Sequence, residues 1–574
     1  MILGIGVGYG MANLMMSLLA GITGQARMSF VRKTRQVEAV QEQFLLTLLK
    51  AHQDTALGQE YDLAEIKTVE QFRQRIPILP YSSYEPYIER IVEGEANVLT
   101  SDPVVYLNLT SGSTGKQKLI PVTKRSRHSL GLANQASIGF VTEALRRKNL
   151  PIGKMLLTSS VQLLGRTRSG IEYGPVSVGS LRMSSGFQRQ VFAHPYEALL
   201  PADSLTRHYV CLLFALRNRH TAVIGANFPI LALRLCDYLE SNAEDLIHDL
   251  ETGTIAHWLK LEPQLRAKLE RRWSAAPRRA AELRQILKTK GRLTPQAVWK
   301  NLSLVITARG GTSDFYFERF PAYFGDTPIF GGIYASAEAT FGVYHDLNQD
   351  GAILAIESGF FEFIAEDQWA IAQPQTLLPH QLTPGERYRV LVTNYNGLYR
   401  YDIGDVVEVV GFYEQTPLIV FRHRVGGLLS STTEKTTEFH VTQVMQQLQQ
   451  DFNLPLENFC VTLSEHEVPA HYWVNIELIP GHQLPDPRAF LTQFDRQLKA
   501  IHVSYEVKRR DQVPPPRLRI FAPGSFAVIR QQMIQRGIPE SQLKFPHISE
   551  DRQLLAGLRI EQEIRMEEEM VMER

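Results

Sequence analysis

The sequence predicts a mixed α/β chain with a large N-terminal domain and a small α+β domain at its C-terminal end. Three observations carry this. The 574 residues exceed what one hydrophobic core normally supports, so two or more domains are expected. From Leu302 to about Val425, short apolar runs alternate with glycines, the texture of strands joined by tight turns. Beyond Val425, helical and strand patterns alternate over about 130 residues, which suits a separate unit.

Composition narrows the function classes. Hydrophobic content of 44% and charged content of 21% are those of an ordinary globular protein. A net charge of +1 gives no field that would favour nucleic acid or acidic partners. Cys211, Cys236 and Cys460 are scattered, with no Cys-x-x-Cys pair, which argues against a disulfide framework or a thiolate metal site. A reducing, cytoplasmic setting is expected.

Taken in order, residues 1–26 carry no charged side chain, and Met11 to Leu19 is strongly apolar. A membrane span needs about 20 mainly apolar residues. Here Gly4, Gly6, Gly8 and Gly10 dilute one half of the segment, and Asn13 and Ser17 interrupt the other. No basic stretch precedes it, as a secretory signal would require. A helix packed on the body, or an extension upstream of the true start, is expected in preference to a membrane anchor. Arg27 to about Thr55 reads as a helix with the stripe Phe44, Leu45, Leu48 and Leu49. Connectors with Pro77 and Pro80 lead to an apolar strand at Val104–Leu107. Residues 205–250 read as two or three helices. The stretch 260–300 holds 12 Lys or Arg against 3 Glu, with helical periodicity interrupted at Pro263, Pro277 and Pro295. Without aromatic interleaving beyond Trp273, it reads as a solvated basic face and not as a nucleic-acid grip.

Strands follow at 304–306, 329–330, 353–356, 360–363, 388–393 and 406–410. The last region reads helix (437–450), strand (459–464), strand (472–478), helix (488–501), strand (517–521), helix (525–536). The tail from Glu561, mostly Glu and Met, reads as a frayed helix.

Three motifs carry chemistry. The first is Thr110-Ser111-Gly112-Ser113-Thr114-Gly115-Lys116-Gln117-Lys118, following the apolar strand. Glycines permit close approach to a polyphosphate, hydroxyls and N–H groups donate, and lysines supply charge. It is not a Walker A loop, which would need Gly at 110 and Ser or Thr at 117. A plain turn has the same composition. The second is Gly331 to Glu338, where Tyr334 offers a stacking face, Ser336 a hydroxyl and Glu338 a carboxylate of the kind that holds Mg²⁺ beside phosphates. The third is Gly397-Leu398-Tyr399-Arg400-Tyr401-Asp402-Ile403-Gly404-Asp405. A Gly-Asp turn here would aim the Asp405 carboxylate outward, where it could accept both hydroxyls of a ribose. Each motif is weak alone.

Their order and spacing together resemble the three motifs of the acyl-adenylate-forming superfamily, and within it the auxin-responsive acyl-acid amido synthetases. Pro86 to Ile91, Lys118-Leu119-Ile120-Pro121, Tyr334 to Gly342, Leu398 to Val406 and Gln542 to Pro546 carry the likeness, which runs from about residue 30 to about 548. The resemblance implies an adenylate-forming domain of β-sheets and a β-barrel flanked by helices at 27–425, after the uncharged segment 1–26. A hinge at 426–436 and a C-terminal lid at 437–574 would follow. It implies ATP and Mg²⁺, with phosphates held around Ser111, Gly112, Ser113, Thr114 and Gly115, and adenine beside Tyr334 and Ser336. Mg²⁺ would sit on Glu338, ribose on Asp405, and Lys435, in the family's hinge-lysine position, would reach the α-phosphate. Two departures stand out. The loop is one residue shorter than the plant form, and Ala337 replaces a usual Ser or Thr.

The implied reaction is adenylation of a small carboxylic acid followed by conjugation to an amino acid. Lys435 and Glu338 would be the catalytic groups, and no protein nucleophile is needed. The alternatives are an adenylating ligase that passes the acyl group to coenzyme A, or a nucleotide-binding protein without turnover. The acyl pocket is expected within 160–230, from residues such as Val161, Leu163, Phe187 and Phe228, with Arg166 or Arg168 meeting a carboxylate.

Overall fold

A computed structural model describes residues 21–110, 118–181, 190–369, 371–425, 428–432, 434–510, 512–535, 540 and 543–566. The residues gather into two compact units. The first comprises the chain up to Arg309, Phe320–Ile403 and Val407–Val420; the second comprises Gly310–Arg319, Gly404–Val406 and the chain from Phe421 onward.

Three sheets build the first unit. A parallel sheet runs in the order Lys154–Leu157, Thr221–Gly225, Leu304–Ile306, Ile329–Phe330. Its central strand Thr221–Gly225 is buried at every position, as parallel strands covered by crossover helices are. One such helix, Ser204–Arg217, starts where the Asp203 carboxylate accepts the Thr206 N–H, and Thr206 to Leu216 are all buried. A second sheet has the order Lys118–Thr123, Val104–Thr110, Glu172–Gly174, Gly165–Arg166. The third has seven strands, in the order Phe360–Ala365, Arg387–Thr393, Tyr401–Tyr413, Thr416–Arg424, Ala352–Leu354, Thr340–Tyr344, Ile333–Ala335.

Helix Val37–His52 buries Phe44, Leu45, Leu48 and Leu49, the stripe read from periodicity, in the largest core cluster with Phe341, Phe361 and Tyr399. Its one buried amide side chain, Gln41, donates to the carbonyls of Ile356 (2.8 Å) and Gly359 (2.7 Å) and accepts the Phe361 N–H (2.8 Å), so its polar atoms are all engaged. The helical pattern is broken at Pro263, Pro277 and Pro295 as expected, and each proline opens a separate helix, at Pro263–Glu270, Pro277–Lys290 and Pro295–Val298. The first helical residue has no intrahelical use for its N–H, so proline fits there.

At the end of helix Val37–His52, the His52 ring lies 2.8 Å from the Tyr399 hydroxyl and 3.2 Å from that of Thr100. Burial pushes its pKa down from 6.5 to about 4, against the pull of Asp102. The folded protein thus holds His52 neutral where an unfolded chain takes up a proton. Stability is whole above about pH 6.5 and is lost as pH falls to about 4, a contribution of about 3 kcal/mol. Thermal melts across that range should show the wild type losing more stability than His52→Gln; parallel curves would remove His52 from the acid response.

The second unit carries the sheet Leu456–Leu463, Tyr472–Leu478, Arg517–Phe521, Ile560–Arg565. Helices Glu438–Asp451, Pro487–Ile501 and Ser525–Gln535 fall where the sequence placed them. The tail does not. Ile560–Arg565 is a strand, antiparallel to Arg517–Phe521, and not a frayed helix. Ile560 and Ile564 are four residues apart, a spacing that puts both on one face of a helix or of a strand. Pairing with the sheet decides it, and Ile564 is buried there. Among the described residues, no helix is long and apolar enough to cross a membrane.

Candidate active site

Strands Val104–Thr110 and Lys118–Thr123 pair antiparallel, with Thr110 opposite Lys118, and the first motif falls between them in the chain. Ser111, Gly112, Ser113, Thr114 and Gly115 lie outside the described residues. The second of these strands is pinned at its start. The Tyr81 hydroxyl donates to the Leu119 carbonyl (3.1 Å) and accepts the Leu119 N–H (2.9 Å). Burial pushes this hydroxyl up to about 12, so it remains a donor at any working pH. The Lys118 ammonium lies 5.0 Å from the same ring. Beyond Lys118–Thr123, a reciprocal cap between Thr123 and Ser126 starts the helix Lys124–Arg147.

The second motif is the turn between strands Ile333–Ala335 and Thr340–Tyr344. Ser336 shapes it: its N–H donates to the Ala339 carbonyl (2.8 Å), and its Oγ accepts the N–H groups of Glu338 (3.1 Å) and Ala339 (3.4 Å). Three asparagines hold the turn from outside. Asn108, in the strand before the first motif, donates to the Ala337 carbonyl at 2.9 Å. Asn394 and Asn396 both donate to the Glu338 carbonyl, at 2.9 and 3.0 Å. Position 337 contributes only a carbonyl here, which any residue supplies, so the departure to Ala337 leaves this contact intact. The three asparagines were missed from sequence; the only local signal was the Asn394-Tyr395-Asn396-Gly397 turn, whose Gly397 has φ +83° and whose Cβ would strike Leu99 at 2.6 Å.

Glu338 is only 4% exposed. Among the described residues its carboxylate has no hydrogen-bond or ion-pair partner, although its backbone is held on both sides. The side chain is mostly covered, and its carboxylate oxygens keep access to solvent, where a cation can meet them. Tyr334 stacks one ring face on the buried Phe341, 5.0 Å away with the planes 30° apart. A cleft of about 190 Å³ lies beside the turn. Asn108, Val122, Ser126, Arg127, Leu130 and Asn134 line it on one side, and Ile333, Ser336, Ala337, Asn394 and Tyr395 on the other. The expected pocket residues sit elsewhere: Val161 is core, Leu163 packs on the cluster of Tyr106, Val122 and Val178, and Phe228 is half-buried. Phe187 is outside the described residues. Arg166 pairs with Glu172 and Arg168 with Glu93, both at the surface. Of the described residues in the stretch 160–230, Val176 alone lines the cleft.

The third motif departs from expectation. Gly404-Asp405 is not a hairpin turn but lies inside the strand Tyr401–Tyr413. Gly404 has φ +77° and its carbonyl accepts the Val425 N–H. Asp405 is 3% exposed and accepts the Arg424 Nε–H at 2.7 Å, so its carboxylate is held inside the second unit, not aimed into solvent. Arg400, in the first unit, is structural: it forms a bidentate pair with Glu362 at 3.0 and 3.0 Å. Lys435 is exposed, between buried Glu434 and buried Thr436. Among the described residues, groups of three or more His, Cys, Asp or Glu able to hold a metal are absent.

Three family models match the chain in order: the GH3 family N-terminal domain over residues 26–329, the central domain over 352–424 and the C-terminal domain over 439–553. Indole-3-acetic acid-amido synthetase GH3.3 of Arabidopsis thaliana is 24% identical over 539 residues, 89% of each chain. Indole-3-acetic acid-amido synthetase GH3.8 of Oryza sativa subsp. indica is 26% identical over 544 residues, 89% of this chain and 88% of its own. Among solved structures, GH3.15 acyl acid amido synthetase superposes with a TM-score of 0.81 over 93% of this chain and 96% of its own, at 22% identity. A 2-hydroxyisobutyryl-CoA ligase in its postadenylation state follows at 0.52 and 10% identity, covering 92% and 90%. These structures share the fold, a mixed α/β adenylate-forming architecture with a separate C-terminal domain. The resemblance read from the three motifs is borne out: the chain belongs to the GH3 family.

Proposed function

We propose that this chain is an ATP-dependent ligase that adenylates a small carboxylic acid and joins it to an amino acid. One observation carries the reading furthest. Asn108, in the strand before the first motif, and Asn394 and Asn396, just ahead of the third, hold the turn that carries Glu338, whose carboxylate no described residue engages. Mg²⁺ takes one or two carboxylates beside substrate phosphates, so a partnerless Glu338 fits that ion. When bound, Mg²⁺ would neutralise phosphate charge.

In the first step, a carboxylate oxygen attacks the α-phosphorus of ATP, the bond to the β-phosphate oxygen breaks, and pyrophosphate leaves. In the second, a neutral amine attacks the acyl carbon, AMP leaves with the bonding pair, and the amine loses a proton. The protein's work is positioning and charge stabilisation. Ser111, Gly112, Ser113, Thr114 and Gly115, between these two strands in the chain, would meet the phosphates. Tyr334 would meet adenine, with Ser336 beside it. The family resemblance assigns the ribose to Asp405 and the α-phosphate to Lys435. In domain terms, 27–425 would hold nucleotide and acid, 426–436 would be the hinge and 437–574 the lid. The acyl group would occupy the cleft along helix Lys124–Arg147, where Arg127 is a basic residue among small and apolar neighbours. Three buried cysteines, none of them in a disulfide, fit a reducing, cytoplasmic setting.

The test is pyrophosphate release with Mg-ATP across aromatic, indolic, jasmonate-like and fatty acids, each with mixed amino acids, with coenzyme A, and with neither. Turnover that requires both an acid and an amino acid supports the proposal. Turnover that requires coenzyme A replaces it with a thioester ligase, and ATP binding without release from any acid leaves a non-catalytic nucleotide binder.

A further inference from the structure

Lys435 sits in the turn between strands Leu428–Leu429 and Thr436–Thr437, which pair antiparallel. Its φ is +58°, the left-handed region that a residue with a Cβ enters at a cost of about 1–2 kcal/mol. Such a conformation persists only where the surroundings over-determine it. Among the described residues, no hydrogen bond or ion pair engages the Lys435 side chain. The constraint therefore reaches it through its chain neighbours.

Glu434 supplies that constraint. It is 1% exposed, and its carboxylate accepts the Ser431 N–H (2.6 Å), the Thr432 N–H (3.0 Å), the Thr432 hydroxyl (3.0 Å) and the Tyr472 hydroxyl (2.5 Å). Tyr472 is fully buried at the start of the strand Tyr472–Leu478, and its oxygen also lies 2.9 Å from the Thr436 hydroxyl and 3.1 Å from the Leu429 carbonyl. The Ser431 hydroxyl donates to the Ala470 carbonyl at 2.5 Å. The residues on both sides of Lys435 are thus tied to the sheet of the second unit, and Lys435 between them is turned outward. Burial alone would raise the Glu434 carboxyl, but the bonds from Tyr472, Ser431 and Thr432 outweigh it and hold it below its ordinary value. An ionised Glu434 saturated by these donors does not compete for the ammonium of its neighbour.

We propose that Glu434 and Tyr472 are positioning residues for the adenylation step, holding the left-handed turn that presents the Lys435 ammonium. This rests on the reading that Lys435 acts at the α-phosphate. The side chain reaches through four flexible bonds, so only a fixed backbone can limit where its charge sits. Catalysis by charge is sensitive to such placement, because a misplacement of about 1 Å can cost 10²-fold.

The experiment is acid-dependent exchange of labelled pyrophosphate into ATP, using the acid of the panel above with the greatest turnover. It compares wild type, Glu434→Gln, Tyr472→Phe, Lys435→Ala and the double variant Glu434→Gln/Lys435→Ala. Glu434→Gln and Tyr472→Phe should each lower kcat by about 10-fold or more, with KM for ATP within about threefold of wild type. In the Lys435→Ala background, Glu434→Gln should cost nothing further, because its effect passes through the lysine. A merely structural role would instead lower Tm and give the same proportional loss in both backgrounds, which overturns the proposal. Near-wild-type kcat in both single variants overturns it too, with the reading of Lys435 intact as long as Lys435→Ala is impaired. Full exchange in Lys435→Ala would overturn that reading first and the positioning role with it. Tyr472→Phe removes one hydroxyl, and so serves if Glu434→Gln does not fold.

Discussion

Lys435→Ala is expected to lower acid-dependent pyrophosphate exchange by about 10²–10³-fold, the usual cost of removing one preorganised charge from a developing anion. ATP affinity should change little, because the proposed contact gains strength only as charge builds at the α-phosphorus. The structure makes this a clean deletion. The side chain is exposed and, among the described residues, without partners, so its removal leaves no buried group unsatisfied. Tm should therefore stay close to wild type. The relevant comparison is exchange rate beside ATP binding measured on the same protein. An unchanged exchange rate would remove Lys435 from the mechanism; a matching loss of ATP affinity would make it a ground-state binding group instead.

Arg400→Met should give the largest loss of stability, about 3–5 kcal/mol, the range seen when one partner of a buried ion pair is removed. Arg400 is 5% exposed and Glu362 is 1% exposed. Beyond the bidentate pair, the guanidinium donates to the carbonyls of Arg73 and Ile76, both at 2.8 Å, and the Thr376 hydroxyl donates to Glu362 at 2.6 Å. Deleting Arg400 leaves the Arg73 and Ile76 carbonyls without this donor, and leaves Glu362 only the Thr376 hydroxyl and the more distant Arg73, 3.5 Å away. Arg400 also has φ +44°, so the network holds a strained backbone residue in place. The double variant Arg400→Met/Glu362→Leu should recover part of the loss, since the deeply buried carboxylate is then gone and only Arg73, 24% exposed, loses an ion partner. Thermal and denaturant unfolding of the three proteins would decide this. A cost for Arg400→Met below about 1 kcal/mol would mean that water reaches the site and relieves the orphaned carboxylate. The consequence for function is direct: the arginine of the third motif secures the first unit and is not available to a phosphate.

Much of the candidate site was legible because its motifs are continuous in the chain. Tyr334, Ser336 and Glu338 could be named from one octapeptide, and Lys435 from its place after the third motif. What misled was local pattern read without its neighbours. Gly404-Asp405 looks like a turn, yet Arg424 takes its carboxylate within the second unit. Ile560 and Ile564 fit a helix and a strand equally, and only pairing with Arg517–Phe521 chooses. The prolines, by contrast, read correctly as breaks; what the pattern left open is that each also starts the next helix, because the same missing N–H serves either role.

By itself the sequence determined the fold class, the family and the helices with a buried stripe, and it supplied the small residues of the first motif. These depend on periodicity and on short motifs, which are properties of neighbouring residues. Only the tertiary structure decided which polar groups are held and which are left open. Asn108 reaches Ala337 across 229 positions, Asn394 reaches Glu338 across 56, Arg400 finds Glu362 across 38 and Tyr472 finds Glu434 across 38. A hydrogen bond acts over about 3 Å, and no local pattern specifies which distant residue the folded chain will bring that close.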